Sequence, residues 1–160
     1  MTIDPGVTGR TYPRTRTYEV AREKIREFAI AIGDPEPAYR DVEAARALGH
    51  RDVIAPPTFG FVLTLEGWHL VMDDLGIDFS HVLHVDQRFV HHRPLIAGDS
   101  IHAGATIDSV RERMGATFLV IRTDISDDQD QLVSSGYSTI MIRPPSDESI
   151  TEPATAGSAQ

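Results

Sequence analysis

Residues 58–72 hold Phe59, Phe61, Val62, Leu63, Leu65, Trp68, Leu70, Val71 and Met72, so a helix drawn through them is apolar on nearly every side. Such a helix is buried in a folded protein, and the rest of the chain must cover it. Gly60 and Gly67 interrupt it. Each costs about 1 kcal/mol relative to alanine in a helix interior, which points to close approach by another element or a ligand. Downstream the period of the pattern changes. Residues 82–91 read as a strand, and Arg93 to Asp99 as a turn. Three long runs follow at 100–112, 116–126 and 131–143. The first alternates Ile101, Ala103, Ala105 and Ile107 with His102, Thr106 and Asp108, the period of two that a half-buried strand requires. Met114-Gly115 and Asp127-Asp128-Gln129-Asp130 are hairpin-length connections. The predicted fold class is α+β, with four or five antiparallel strands wrapped around a long buried apolar helix.

Two shorter helices precede it. In residues 20–32 the apolar positions Ala21, Ile25, Phe28 and Ile32 fall on one face, and Gly33 with Pro35 and Pro37 ends the helix. Asp41 can cap a second helix reaching Leu48, with Gly49 at its left-handed end. Residues 1–17 read as an extended segment and 18–143 as the folded domain. Pro144-Pro145 stops the sheet, and the remainder of 144–160 has no core-forming residues, so it is predicted as a disordered tail.

Composition narrows the chemistry. A chain of 160 residues supplies one sizeable core. It has no cysteine, which excludes a disulfide framework, a zinc–thiolate site, an iron–sulfur cluster and a cysteine nucleophile. The net charge of −9 argues against a nucleic-acid partner. No uninterrupted apolar run reaches the ~18 residues of a membrane span, so no membrane insertion is expected. The polar opening from Met1 to Arg10 has no signal-peptide core, and a cytoplasmic location is the expectation. His91 and His92 are adjacent on a strand and point to opposite faces, which is poor geometry for one ion. No metal and no cofactor is expected.

The stretch Gly33-Asp34-Pro35-Glu36-Pro37-Ala38-Tyr39 lies on the loop between the first two helices. Val53-Ile54-Ala55-Pro56, Thr58-Phe59, Asp86-Gln87-Arg88-Phe89 and Pro94-Leu95-Ile96-Ala97-Gly98-Asp99 follow in order. With Glu23-Lys24-Ile25-Arg26-Glu27-Phe28, this series resembles the MaoC-like hot-dog dehydratases and R-specific enoyl hydratases. It is most similar to their N-terminal dehydratase-like branch, which includes non-catalytic subunits of (3R)-hydroxyacyl-ACP dehydratase. The resemblance spans Tyr18 to about Arg143 and implies a single hot-dog fold.

Active members of that wider family carry Gly-Asp-x-Asn-Pro-x-His and then Ile-Ala-His-Gly. Moving water at an α,β-unsaturated thioester needs an acid–base pair and a donor for the thioester oxygen. Asp34 stands at the aspartate position, and Glu36 replaces the asparagine. Tyr39 stands where the histidine belongs, and Pro56-Pro57 replaces His-Gly. A phenol with an ordinary pKa near 10 is a poor base at neutral pH. Proline has no N–H to offer an oxyanion, and Thr58 could substitute only if the helix began later. The resemblance therefore implies a degenerate half-site. Asp34 and Tyr39 are the candidate catalytic residues. Ile54, Pro56, Pro57, Thr58, Phe59 and Phe61 are the candidate substrate contacts.

The resemblance also implies an acyl-ACP or acyl-CoA substrate and a homodimer, or a heterodimer with a catalytic hot-dog subunit, joined by a continuous sheet. Arg10, Arg14, Arg16, Arg22, Lys24 and Arg26 offer a basic spot for an acidic carrier, or a solvated face balanced by nearby acids. A self-sufficient hydratase using Asp34 and a non-enzymatic acyl-binding module remain open alternatives.

Overall fold

Five antiparallel strands make one sheet: β1 (Tyr18–Glu19), β2 (Val82–His91), β3 (Ser100–Arg113), β4 (Ala116–Asp127) and β5 (Leu132–Ile142), in the order β1-β3-β4-β5-β2. These come from a computed structural model that describes residues 3–143. The tail predicted at 144–160 lies outside the described residues. The β3–β4 hairpin closes on Met114 and Gly115, both at positive φ (54° and 76°), which matches the twist of the flanking strands. Ile101, Ala103, Ala105 and Ile107 all turn inward as their alternation requires. Leu119, Ile121 and Ile125 of β4 share that inner face with Ile140 and Ile142 of β5.

Three α-helices sit at 22–31 (α1), 42–47 (α2) and 64–75 (α3). Gly33 at φ 71° ends the α1 region, and Asp41 caps α2 by accepting from the Ala44 N–H at 2.8 Å. On α1 the buried face is Ile25 and Ala29, while Ile32 stands outside the helix and is exposed. The apolar run at 58–72 divides. Residues 59–63 form a 3₁₀ segment, and α3 continues from Thr64 to Leu75. Thr64, Gly67, Trp68, Val71 and Met72 make its buried stripe, whereas Leu65, Glu66 and His69 face outward.

The glycines explain how helix and sheet meet. A Cβ on Gly67 would lie 2.8 Å from the Ala105 Cβ, and one on Gly60 would lie 3.1 Å from Ile125 Cδ1. The close approach anticipated at these positions is to the sheet. Two packed clusters result. One joins α1 and the 53–59 segment to Ile101, Ala103 and Ile125. The other joins α3 to Ala105, Ile107, Leu119, Ile121 and Ile140. Ile3 and Val7 belong to the second, so the N-terminal segment is part of the core.

Candidate active site

The loop after α1 is built by short side chains closing on their own backbone. Asp34 Oδ1 accepts from the Glu36 N–H at 3.1 Å, and Glu36 Oε1 accepts from the Ala38 N–H at 3.2 Å. Arg40 donates to the Asp34 carbonyl. These bonds fold residues 37–39 into a 3₁₀ turn and push Tyr39 inward. Tyr39 is 9% exposed and packs in the cluster that holds Phe59, Ala55 and Val53. Burial first, then the charges of Asp34 and Glu36, push the Tyr39 phenol above its ordinary 10. It is therefore a neutral hydroxyl at physiological pH, able to donate but not to act as a base. That hydroxyl makes no hydrogen bond to protein among the described residues.

The segment leading into the 3₁₀ turn is clamped on both sides. The Ile54 N–H donates to the Ala38 carbonyl at 3.2 Å, the Ala55 N–H to Leu95 at 2.8 Å and the Ala97 N–H to Val53 at 3.0 Å. Ile54 also bridges Ile96. This places the Tyr39 loop directly beside the start of the central helical segment. There Pro56 is buried, while Pro57 and Thr58 are exposed. The Phe59 N–H is spent on the Pro56 carbonyl at 2.9 Å. The Thr58 N–H donates to no group among the described residues. The helical region does begin late, and Thr58 presents the free donor that Pro57 cannot.

Of the six candidate contact residues, Phe59 and Phe61 pack in different clusters. Phe59 is fully buried and meets Phe28 edge-on at 5.4 Å between centroids. Phe61 turns the other way, stacked on His84 at 5.4 Å and edge-on to Trp68 at 6.0 Å. Sequence reasoning missed His84 as part of this aromatic group, since one histidine on a strand gives no signal by itself.

It also missed a polar floor. Gln87 of β2 accepts from the Ser138 hydroxyl at 2.7 Å, and its Nε2 is buried without a partner. A Cβ on Gly136 would lie 3.3 Å from that Nε2. Thr123, beside Gly136 across the β4–β5 pair, has a buried hydroxyl that is likewise unpartnered. The available hint was the run Ser134-Ser135-Gly136-Tyr137-Ser138-Thr139 between the apolar ends of β5.

Other candidates have local partners. Asp99 is 8% exposed and accepts from the Ile96 N–H at 3.0 Å, from Arg93 at 2.7 Å and from Arg51. His50 follows α2 with its N–H on Ala45, and His91 faces the Ser134 hydroxyl at 3.1 Å. Of the N-terminal basic residues, Arg10 pairs with Asp74, Arg14 with Asp130, Arg22 with Asp52, Lys24 with Glu27 and Arg26 with Glu23. Five of the six candidates for carrier docking are thus matched to carboxylates. No group of metal-ligating side chains assembles among the described residues. No described helix is long and apolar enough to cross a membrane.

An antiparallel sheet curled on a central helix, with a Gly-Asp loop beside the helix start, defines a hot-dog protein of the MaoC-like dehydratase type. The family profile for the FAS1-like, dehydratase domain region matches residues 6–135, and the chain belongs to that family. A UPF0336 protein of Streptomyces griseus is 49% identical over 145 residues, covering 89% of this chain and 97% of its own. Among solved structures, a chain of the C-terminally truncated HadBC (3R-hydroxyacyl-ACP dehydratase) complex of Mycobacterium tuberculosis aligns with TM-score 0.78 and 36% identity, covering 84% of this chain and 96% of that one. The ChsH1–ChsH2 complex of the same organism shares the fold, with TM-score 0.67 and 23% identity over 91% of each chain.

Proposed function

We propose that this chain is a subunit of a (3R)-hydroxyacyl thioester dehydratase, shaping the acyl site while lacking most of the catalytic groups. One observation carries the reading. The loop position that needs a base holds Tyr39, whose burial and acidic neighbours keep it protonated. Asp34, the remaining acid, spends one carboxylate oxygen on the loop's own backbone. Dehydration of a 3-hydroxyacyl thioester removes a proton from C2 and hydroxide from C3, and a neutral phenol accepts no proton from carbon. A second hot-dog chain with an intact Asp–His pair would supply the proton transfers. The similarity to the HadBC chain supports a paired arrangement. The free Thr58 N–H could serve a thioester oxygen from this side.

Hydration of a short trans-2-enoyl-CoA, followed by loss of enoyl absorbance, tests the assignment. The purified chain alone should show negligible turnover, with a large gain on adding a hot-dog chain that carries Asp and His. Robust turnover by the chain alone, abolished by Asp34→Asn, would instead establish a self-sufficient hydratase. Acyl-CoA binding with no gain from any such partner would mark an acyl-binding module.

A further inference from the structure

We propose, resting on the dehydratase reading for the thioester, that the polar floor beneath Phe89 is a subsite for a neutral oxygen, hydroxyl or oxo, carried along the acyl chain. Three buried side-chain atoms have no hydrogen-bond partner among the described residues: Trp68 Nε1, Gln87 Nε2 and the Thr123 hydroxyl. Each is able to donate, and none meets an acceptor. Buried polar groups left in this way are costly, and a native fold keeps few of them.

Gln87 and Thr123 converge on one point. The Ser138 hydroxyl donates to Gln87 Oε1 at 2.7 Å, which fixes the amide and leaves its nitrogen toward Gly136. Thr123, Gly136 and Phe89 stand opposite one another across β4, β5 and β2. A Cβ on Gly136 would lie 3.3 Å from Gln87 Nε2. Cβ positions directly across a strand pair are about 5 Å apart, so Thr123 reaches the same point from the other side. An oxygen seated over Gly136 is within range of both donors. The Trp68 N–H extends the series along the seam between helix and sheet, where its ring meets His84 at 5.1 Å.

Phe89 covers this place. Its Cε1 lies 3.2 Å from the Cβ position of Gly136 on the sheet and 3.3 Å from that of Gly60 in the 3₁₀ turn. The ring is thus a wedge between two glycines. It belongs to the edge strand β2, is half-buried, and stacks on His91 at 5.7 Å. In place, the ring hides two donors that serve nothing. Turned aside, it opens a slot floored by Gly136 with Gln87 and Thr123 on either side.

The donors select the occupant. A plain alkyl chain replaces the contacts of the ring and leaves both donors unpaired. A hydroxyl or oxo oxygen accepts from both at once. Neither donor carries a charge, so a neutral oxygen suits them better than a carboxylate. A site built to hydrogen-bond an oxygen discriminates strongly against the analogue that lacks it.

Calorimetric titration of the chain compares lauroyl-CoA with hydroxylauroyl-CoA and oxolauroyl-CoA, the oxygen moved carbon by carbon beyond the reacting positions. At least one oxygenated thioester should bind about tenfold more tightly than lauroyl-CoA. Thr123→Val keeps the shape and removes the hydroxyl, and Gln87→Met removes the amide. In each variant that ligand and lauroyl-CoA should bind within about twofold of each other, with the wild-type circular dichroism spectrum retained. Equal affinities in the wild type, or a preference that survives in either variant, would overturn the subsite and leave the dehydratase reading standing. Binding of none of these thioesters would also overturn the subsite, while turnover with an added Asp–His chain decides the dehydratase reading separately.

Discussion

Thr123 is 1% exposed and its hydroxyl has no partner. An unsatisfied buried hydroxyl costs about 1–3 kcal/mol, and valine has nearly the same shape without it. Thr123→Val should therefore raise stability by about 1 kcal/mol, read as a melting temperature higher by roughly 3 °C in calorimetry. Asp99 presents the opposite case. Burial acts to raise its pKa, but the Ile96 N–H with Arg93 and Arg51 outweighs burial and holds the carboxyl below its ordinary 3.8. A carboxylate depressed in the folded state stabilises fully above its unfolded value and loses that contribution as pH falls through the folded one. Chemical denaturation should show stability level from neutral pH to about 5 and falling below about 4, where Asp99 and Asp127 protonate. Asp99→Asn should cost about 2 kcal/mol at pH 7 and flatten the acid limb. Tyr39→Phe should leave stability within about 0.5 kcal/mol, because the hydroxyl it removes has no protein partner.

The central helical segment shows how far a pattern of residues reaches. Its burial was legible from its apolar content, and its glycines were legible as points of close approach. Its division at Thr64 was not, because apolar content carries no signal for the tighter 3₁₀ winding at 59–63. The exposed stripe of Leu65 and His69 was hidden for a related reason: hydropathy does not say which side of a helix has a neighbour. The strands were read closely because inward residues such as Ile101 and Ile107 recur every second position. The two-residue β1 and the bulge between His84 and Asp86 depend on pairing partners far along the chain. The Asp34–Tyr39 loop was placed on its motif, yet the inward turn of Tyr39 came only with the Glu36 cap. Gly67→Ala tests the helix–sheet contact. Alanine gains about 1 kcal/mol of helix propensity. Overpacking against Ala105 costs about 1–3 kcal/mol, so a net loss is expected in urea denaturation. Adding Ala105→Gly should recover part of it.

Taken whole, the molecule has one finished side and one unfinished side. The β3 edge is covered by the chain's own beginning, and the β2 edge is not. The loop with Asp34 and Tyr39 lies beside the helix start and, on the proposed function, lacks a base, while the outer stripe of α3 is bare. A second hot-dog chain would address both deficits at once. The finished side has a further consequence. The Thr15 hydroxyl bonds the Ala103 N–H across a sequence separation of 88 residues. During synthesis the segment around Thr15 leaves the ribosome well before β3, where it docks, since 88 residues separate the two. Its docking is necessarily a late event, of the non-local kind that slows folding. Between the pairing of β3 with β4 and the docking of the N-terminal segment, the β3 edge is open as well as the β2 edge, and the partly folded chain is then most prone to associate with the wrong neighbour.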